Sequence, residues 1–152
     1  MFGSLASASG TSASEGRNRE TAEVYDLEKN VIIMFVYYVN IPLDLAGIEE
    51  FESYAEEMPD VYTVELTEAE YKILRKLKGL FSLFDQSLGT IIDVCEEERI
   101  ENEHLDQAIK LTEELMKKSK DDLEIRAIEK ILQSLEVAYQ AQTFWEIDIY
   151  LE

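Results

Sequence analysis

The segment Asn30–Asn40 reads Asn-Val-Ile-Ile-Met-Phe-Val-Tyr-Tyr-Val-Asn, and it constrains the fold more than any other stretch of the chain. Between its two asparagines every residue is apolar or aromatic. β-branched and aromatic side chains lose freedom in a helix and pack well on a pleated sheet. A strand with one wet face alternates apolar with polar residues, whereas a run without alternation is buried on both faces. The run therefore predicts a central strand. It is ended by Asn40-Ile41-Pro42, because proline has no N–H to give to a ladder. It is far too short to cross a bilayer, which takes about 20 apolar residues.

The rest of the chain reads as helices and strands that cover this one. Gly47 to Met58 places Ile48, Phe51, Tyr54, Ala55 and Met58 on one helical stripe, with most of the intervening glutamates outside it. Pro59-Asp60 stops that helix, and Val61–Leu66 follows as a second strand. Thr67-Glu68-Ala69-Glu70 has the form of a capping box, in which the Thr67 hydroxyl and the Glu70 carboxylate each satisfy the other's backbone N–H. The helix it opens carries Tyr71, Leu74, Leu77, Phe81 and Phe84, and Leu88-Gly89 ends or breaks it. Thr90–Cys95 fits either a strand or a buried helical turn.

Asn102 can cap a helix over Glu103–Ser119 with Leu105, Ala108, Ile109, Thr112, Leu115 and Met116 inward. Lys117, Lys118 and Lys120 then sit at the negative end of its dipole. Asp121 or Asp122 opens a further helix reaching Gln142, with Leu123, Ala127, Ile128, Ile131, Leu132, Leu135 and Ala138 as its stripe. So short a connection predicts an antiparallel helical hairpin. At the end, Trp145, Ile147, Ile149 and Leu151 alternate with Glu146, Asp148, Tyr150 and Glu152, which predicts a half-buried terminal strand that joins the sheet.

These elements define an α+β fold: a small sheet of three to four strands covered by amphipathic helices, mainly on one face, with a C-terminal antiparallel helical hairpin followed by a terminal strand. Residues 21–152 form one domain. Residues 1–20 are rich in Ser, Ala and Gly and are expected to be a disordered leader. Met1–Gly16 has neither the basic start nor the apolar centre of a secretory signal.

Charge narrows the function. Asp and Glu number 33 against 14 Lys and Arg, a formal charge of -19. Such a field repels nucleic-acid phosphates and anionic lipid heads, so direct nucleic-acid or membrane binding is disfavoured and a basic partner protein is favoured. The single cysteine, Cys95, cannot form a disulfide within the chain and suits a reducing, cytoplasmic setting. His104, the one histidine, is separated from it mainly by glutamates, which oppose thiolate formation. One His and one Cys fall short of a zinc set. The acidic run from Asp93 to Asp106 lacks the spacing of a calcium loop and reads as a solvated charge run. Neither phosphate-binding glycine loop is present. Lys72, Arg75 and Lys76 share a helix face, with Glu68 four residues before Lys72, so they read as local ion pairs. No catalytic residue, cofactor or metal is expected.

The distribution of charge is more telling than its sum. Between Lys29 and Lys72 there is no basic residue. The candidate partner-binding residues fall there: Glu49, Glu50, Glu52, Glu56, Glu57 and Asp60. Tyr54, Tyr62, Phe144, Trp145 and Tyr150 are available as aromatic anchors, and interfaces combine such anchors with charged steering groups. The leading expectation is an acidic binding module that docks on a basic protein, as an inhibitor or immunity-type protein would. In charge and size alone it is similar to bacterial immunity proteins and to acidic anti-restriction proteins that mimic DNA. The alternatives are an assembly subunit that forms a homo-oligomer, and an enzyme with an unrecognised carboxylate site.

Overall fold

Polar caps set where several of the helices begin. The computed structural model describes residues 22–26, 31–94 and 96–152. The elements run β1 (Ala22–Asp26), β2 (Val31–Pro42), α1 (Leu45–Glu52), β3 (Val61–Leu66), α2 (Glu68–Arg75), α3 (Leu80–Leu88), β4 (Glu97–Ile100), α4 (Leu105–Lys118), α5 (Asp122–Ala141) and β5 (Trp145–Leu151). A 3-10 turn over Asn102–His104 leads into α4. The expected leader, residues 1–20, lies outside the described residues, as does Cys95.

The capping box forms as the spacing requires. The Glu70 N–H donates to Thr67 Oγ1 at 3.0 Å, and the Thr67 N–H donates to Glu70 Oε1 at 2.9 Å. Asp121 caps α5 by accepting from the Glu124 N–H at 2.9 Å. Asp44 does the same for α1 through the Gly47 N–H. That cap starts α1 at Leu45 instead of Gly47, and the helix stops at Glu52 instead of Met58, because Tyr54 takes a left-handed φ of 55°.

The long helix read after Thr67 is two helices. Lys78 has φ 65° and Gly79 follows, closing a tight turn through its N–H to the Lys76 carbonyl at 2.8 Å. A Cβ at Gly79 would lie 2.7 Å from the Leu74 carbonyl oxygen, so only glycine fits this corner. Thr90–Val94 forms neither a strand nor a helical turn. Asp85 Oδ1 instead fixes it as a loop by accepting from Thr90 Oγ1 at 2.7 Å and from the Ile92 N–H at 3.1 Å.

The sheet is antiparallel throughout and four strands wide, in the order β1-β2-β5-β4, with β3 sharing the β1 edge of β2. β2 is long enough to hold both: Val31–Phe35 pairs with β1 and Tyr37–Pro42 with β3. Ladder pairing to β3 carries β2 two residues past Asn40, to Pro42. β5 lies between β2 and β4, with Val39 opposite Ile147 and Glu98 opposite the same Ile147 on the other side. The fold is thus α+β, with the helical hairpin of α4 and α5 preceding the terminal strand. No helix among the described residues is long and apolar enough to cross a membrane.

One face of the sheet carries the core. Tyr37, Val39 and Ile41 of β2, Leu66 of β3, Ile100 of β4 and Trp145, Ile147 and Ile149 of β5 are buried with Tyr71, Leu74, Phe81, Phe84, Ile128, Ile131 and Leu135. Tyr37 stacks on Tyr71 with centroids 4.4 Å apart, and burial pushes the Tyr71 hydroxyl up to about 12. Trp145 meets Phe81 and Phe84 edge-on, and its indole N–H donates to Ser134 Oγ at 2.8 Å. That bond explains a hydroxyl buried in the apolar stripe of α5.

The two kinds of contact differ in weight. Trp145→Ala removes the largest buried side chain and leaves a cavity between α3, α5 and the sheet, so it should cost about 3–5 kcal/mol. Thr67→Ala removes one cap and should cost about 1 kcal/mol. Urea unfolding followed by far-UV circular dichroism measures both, since the chain has one tryptophan and the first variant has none.

Candidate functional site

The alternation that puts Trp145, Ile147 and Ile149 on the core face puts Glu146 and Asp148 on the other. A strand at the edge of a sheet would leave those carboxylates in water. β5 is interior, and Glu146 and Asp148 are only 6% and 8% exposed. Asp148 pairs in register with Tyr38 of β2 and Glu97 of β4, and Glu146 with Asn40 and Arg99. Register therefore gathers Asn40, Glu97, Arg99, Glu146 and Asp148 on one patch of sheet.

Each buried carboxyl has a dedicated donor. Arg99 Nε and Nη2 both reach Glu146 Oε1 at 2.9 Å. Asn40 Nδ2 donates to Asp148 Oδ2 at 2.7 Å, and Asn40 Oδ1 accepts from Thr63 Oγ1 of β3 at 2.8 Å. Glu146 and Asp148 also bring a carboxylate oxygen each within 4.8 Å of the other. Burial, followed by the Asp148 contact, pushes the Glu146 carboxyl up to about 7 against the opposing pull of Arg99. Burial also raises Asp148, although its contact with Glu146 and its hydrogen bond from Asn40 oppose the shift.

Glu97, exposed at the rim, brings a carboxylate oxygen within 4.8 Å of oxygens from Glu146 and Asp148. Among the described residues no other three acidic, histidine or cysteine side chains converge in this way. The positive charge here belongs to Arg99, whose guanidinium lies against Glu146. The arrangement is an arginine-held carboxyl pair with a third carboxylate at its rim.

Arg99 also links this patch to α1. Its guanidinium carbon lies 3.6 Å from the centre of the Phe144 ring, a cation–π contact. Its Nη1 is 3.5 Å from Glu52 Oε2. Phe51 of α1 meets Phe144 at 6.0 Å. Farther along, Glu50 Oε1 accepts from the Asp60 N–H at 3.1 Å, and the Leu43 N–H donates to the Asp60 carbonyl at 2.8 Å. Gly47 packs so closely on that carbonyl that a Cβ would overlap it.

The six acidic residues singled out from the sequence thus divide by role. Glu50 and Asp60 are tied to each other and hold the α1–β3 loop closed. Glu52 is engaged with Arg99. Glu49, Glu56 and Glu57 are exposed. Beside them Leu45 and Tyr54 are each 84% exposed, and Leu43 and Tyr62 partly so. Of the aromatic anchors expected from the sequence, Phe144 and Trp145 are buried, while Tyr54, Tyr62 and Tyr150 reach solvent. The basic set on α2 forms ion pairs: Lys72 with Glu68 at 3.1 Å, Arg75 with Asp85 at 3.8 Å, and Lys76 with the buried Glu124 at 3.0 Å. His104 is exposed in the 3-10 turn.

Sequence reasoning missed the buried pair and its arginine. Two signals pointed there: an asparagine within an apolar strand, and one arginine inside a run of glutamates. Comparison with protein-family models, with curated proteins and with solved structures finds no match to this chain.

Arg99→Ala leaves two buried carboxyls without a cation. A fully buried pair broken on one side costs about 3–5 kcal/mol; Arg99 keeps partial solvent contact, so about 2–3 kcal/mol is expected at neutral pH. Arg99→Lys keeps the charge but loses the paired N–H groups and should fall between the variant and the parent. Chemical denaturation monitored by Trp145 fluorescence distinguishes the three.

Proposed function

We propose that this protein is an acidic binding module that docks through α1 and the α1–β3 loop onto a basic surface of another protein. The observation that carries the reading is the pairing of Leu45 and Tyr54, each 84% exposed, with exposed Glu49, Glu56 and Glu57. All five lie in a segment without a single Lys or Arg. Exposed large apolar groups are the anchors of an interface, and unpaired charges around them steer a partner of opposite sign. The anchors stand on a braced platform, because Asp44, Glu50 and Asp60 fix the helix start and the loop from within. A preorganised surface loses less freedom on binding than a mobile one. The single cysteine supports a cytoplasmic setting for this encounter.

The test uses the full chain as bait in lysate of its source cells at about 0.05 M and about 0.5 M salt, across which the screening length changes severalfold. Each captured protein is then purified and titrated against the parent, against a variant with Glu49, Glu56 and Glu57 changed to Lys, and against Tyr54→Ser. A basic protein whose affinity falls at least tenfold with the charge reversal, and falls with salt, is the expected result. Tyr54→Ser should weaken it at both salt concentrations. Binding that is equal for parent and charge-reversed chains, or capture of this chain alone at both salts, overturns the docking reading in favour of self-association.

A further inference from the structure

Two carboxyl groups buried side by side against one cation resist double ionisation, since like charges repel strongly away from water. Glu146 and Asp148 are so placed, two residues apart on the polar face of an interior strand, with carboxylate oxygens within 4.8 Å of each other and both residues more than nine-tenths buried. One guanidinium faces them. With both carboxyls ionised, the pair carries two negative charges against the single positive charge of Arg99, and Glu97 adds a third negative at the rim.

We infer that Glu146 and Asp148 share one proton, carried on Glu146 and donated to Asp148, and that its release is a built-in switch that loosens the seam where β5, Arg99 and α1 meet. It goes beyond the docking reading and holds whatever α1 meets.

The surroundings set the direction. From β4, Glu97 and Glu98 bear on the pair with negative charge, and Arg99 alone with positive. From β2, Asn40 contributes an uncharged amide and Tyr38 a phenol on the same face. From β3, Thr63 reaches the pair only through Asn40, and Glu65 is a further carboxylate on that face. From α1, Glu52 competes for Arg99. Tyr150 lies next on the same face of β5, and its hydroxyl is raised first by burial and then by the negative charge of Asp148. Every charged neighbour except Arg99 therefore favours retention of the proton. The folded chain holds it to a higher pH than the unfolded chain does. The stability it contributes is complete below the ordinary carboxyl range and is lost as pH rises through the pair's own range. Loss of the proton also removes the hydrogen bond between the two carboxyls, and the charge left behind draws on Arg99, the side chain that joins β5 to Glu52 and Phe144.

The experiment is a carbon-detected NMR titration of side-chain carboxyls in the full chain, with Glu146→Gln and Asp148→Asn used for assignment. The Glu146 carboxyl should titrate with a midpoint near 7, against an ordinary value of 4.5. In parallel, melting is followed by Trp145 fluorescence from about pH 5 to about pH 8. Other carboxylates also titrate at the acid end, so the informative quantity is the difference between parent and variant. The amide of Glu146→Gln donates to Asp148 as the protonated acid does, at any pH. The parent's melting temperature should fall across this range more steeply than that of Glu146→Gln. A Glu146 midpoint below about 5, or equal slopes in parent and variant, overturns the inference. Should Glu146→Gln fail to fold, the Asp148→Asn chain still serves for assignment, and the parent's own titration decides.

Discussion

The structure depends on the placement of β5. A C-terminal strand is usually free to lie at an edge, where one face and one ladder edge can remain wet. Here it lies between β2 and β4, so from Glu146 to Asp148 both edges are paired and neither face is open. Its core face satisfies that constraint with Trp145, Ile147 and Ile149, on which α3 and α5 close. Its other face has to satisfy it with Glu146 and Asp148, and this requires Arg99 from one neighbour strand and Asn40 from the other. Removing β5 would therefore unpair β4, expose Trp145's partners and strand Arg99.

What the sequence disclosed and what it hid follow the range of the interactions involved. The capping box at Thr67, the Asp121 cap, the strand Val61–Leu66 and the stripes of α4 and α5 are set by residues within a few positions of each other, and all were legible. The long apolar strand was legible because its composition has one physical solution. β4 was not. Glu-Glu-Arg-Ile has no strand pattern of its own, and it becomes a strand only because β5, far away in the chain, offers it a ladder. The break at Lys78-Gly79 was hidden for a similar reason: the apolar period continues across it, and only the packing of α2 on α3 demands the corner.

The buried pair was hidden by a reasonable assumption. Alternation along β5 implies one dry face and one wet face, and carboxylates on the second face looked like ordinary solvent contacts. Alternation reports polarity, however, and not exposure. Asn40 was taken as the end of a strand, when its amide is the partner of a buried carboxylate across the next ladder. A polar residue bounding an apolar strand is ambiguous between these roles until register is known, because a shift of one residue would turn it to the opposite face.

The shortage of positive charge then organises the surface. Several buried or half-buried carboxylates take a cation each: Arg99 to Glu146, Lys76 to Glu124, Lys130 to Glu70, Arg75 to Asp85. These pairs stitch β4 to β5, α2 to α5, and α2 to α3. With 14 basic residues against 33 acidic, cations used for internal pairing cannot also balance the outside. The α1–β3 segment contains none of its own, and α1 is linked to positive charge through Glu52 and Arg99. An acidic edge of the molecule is thus joined, by a single guanidinium, to the buried carboxyl pair. Replacing that pair with apolar residues of similar volume would often be neutral or stabilising in a protein interior. What such a core would lose is this connection between proton uptake inside the sheet and the helix that rests on it.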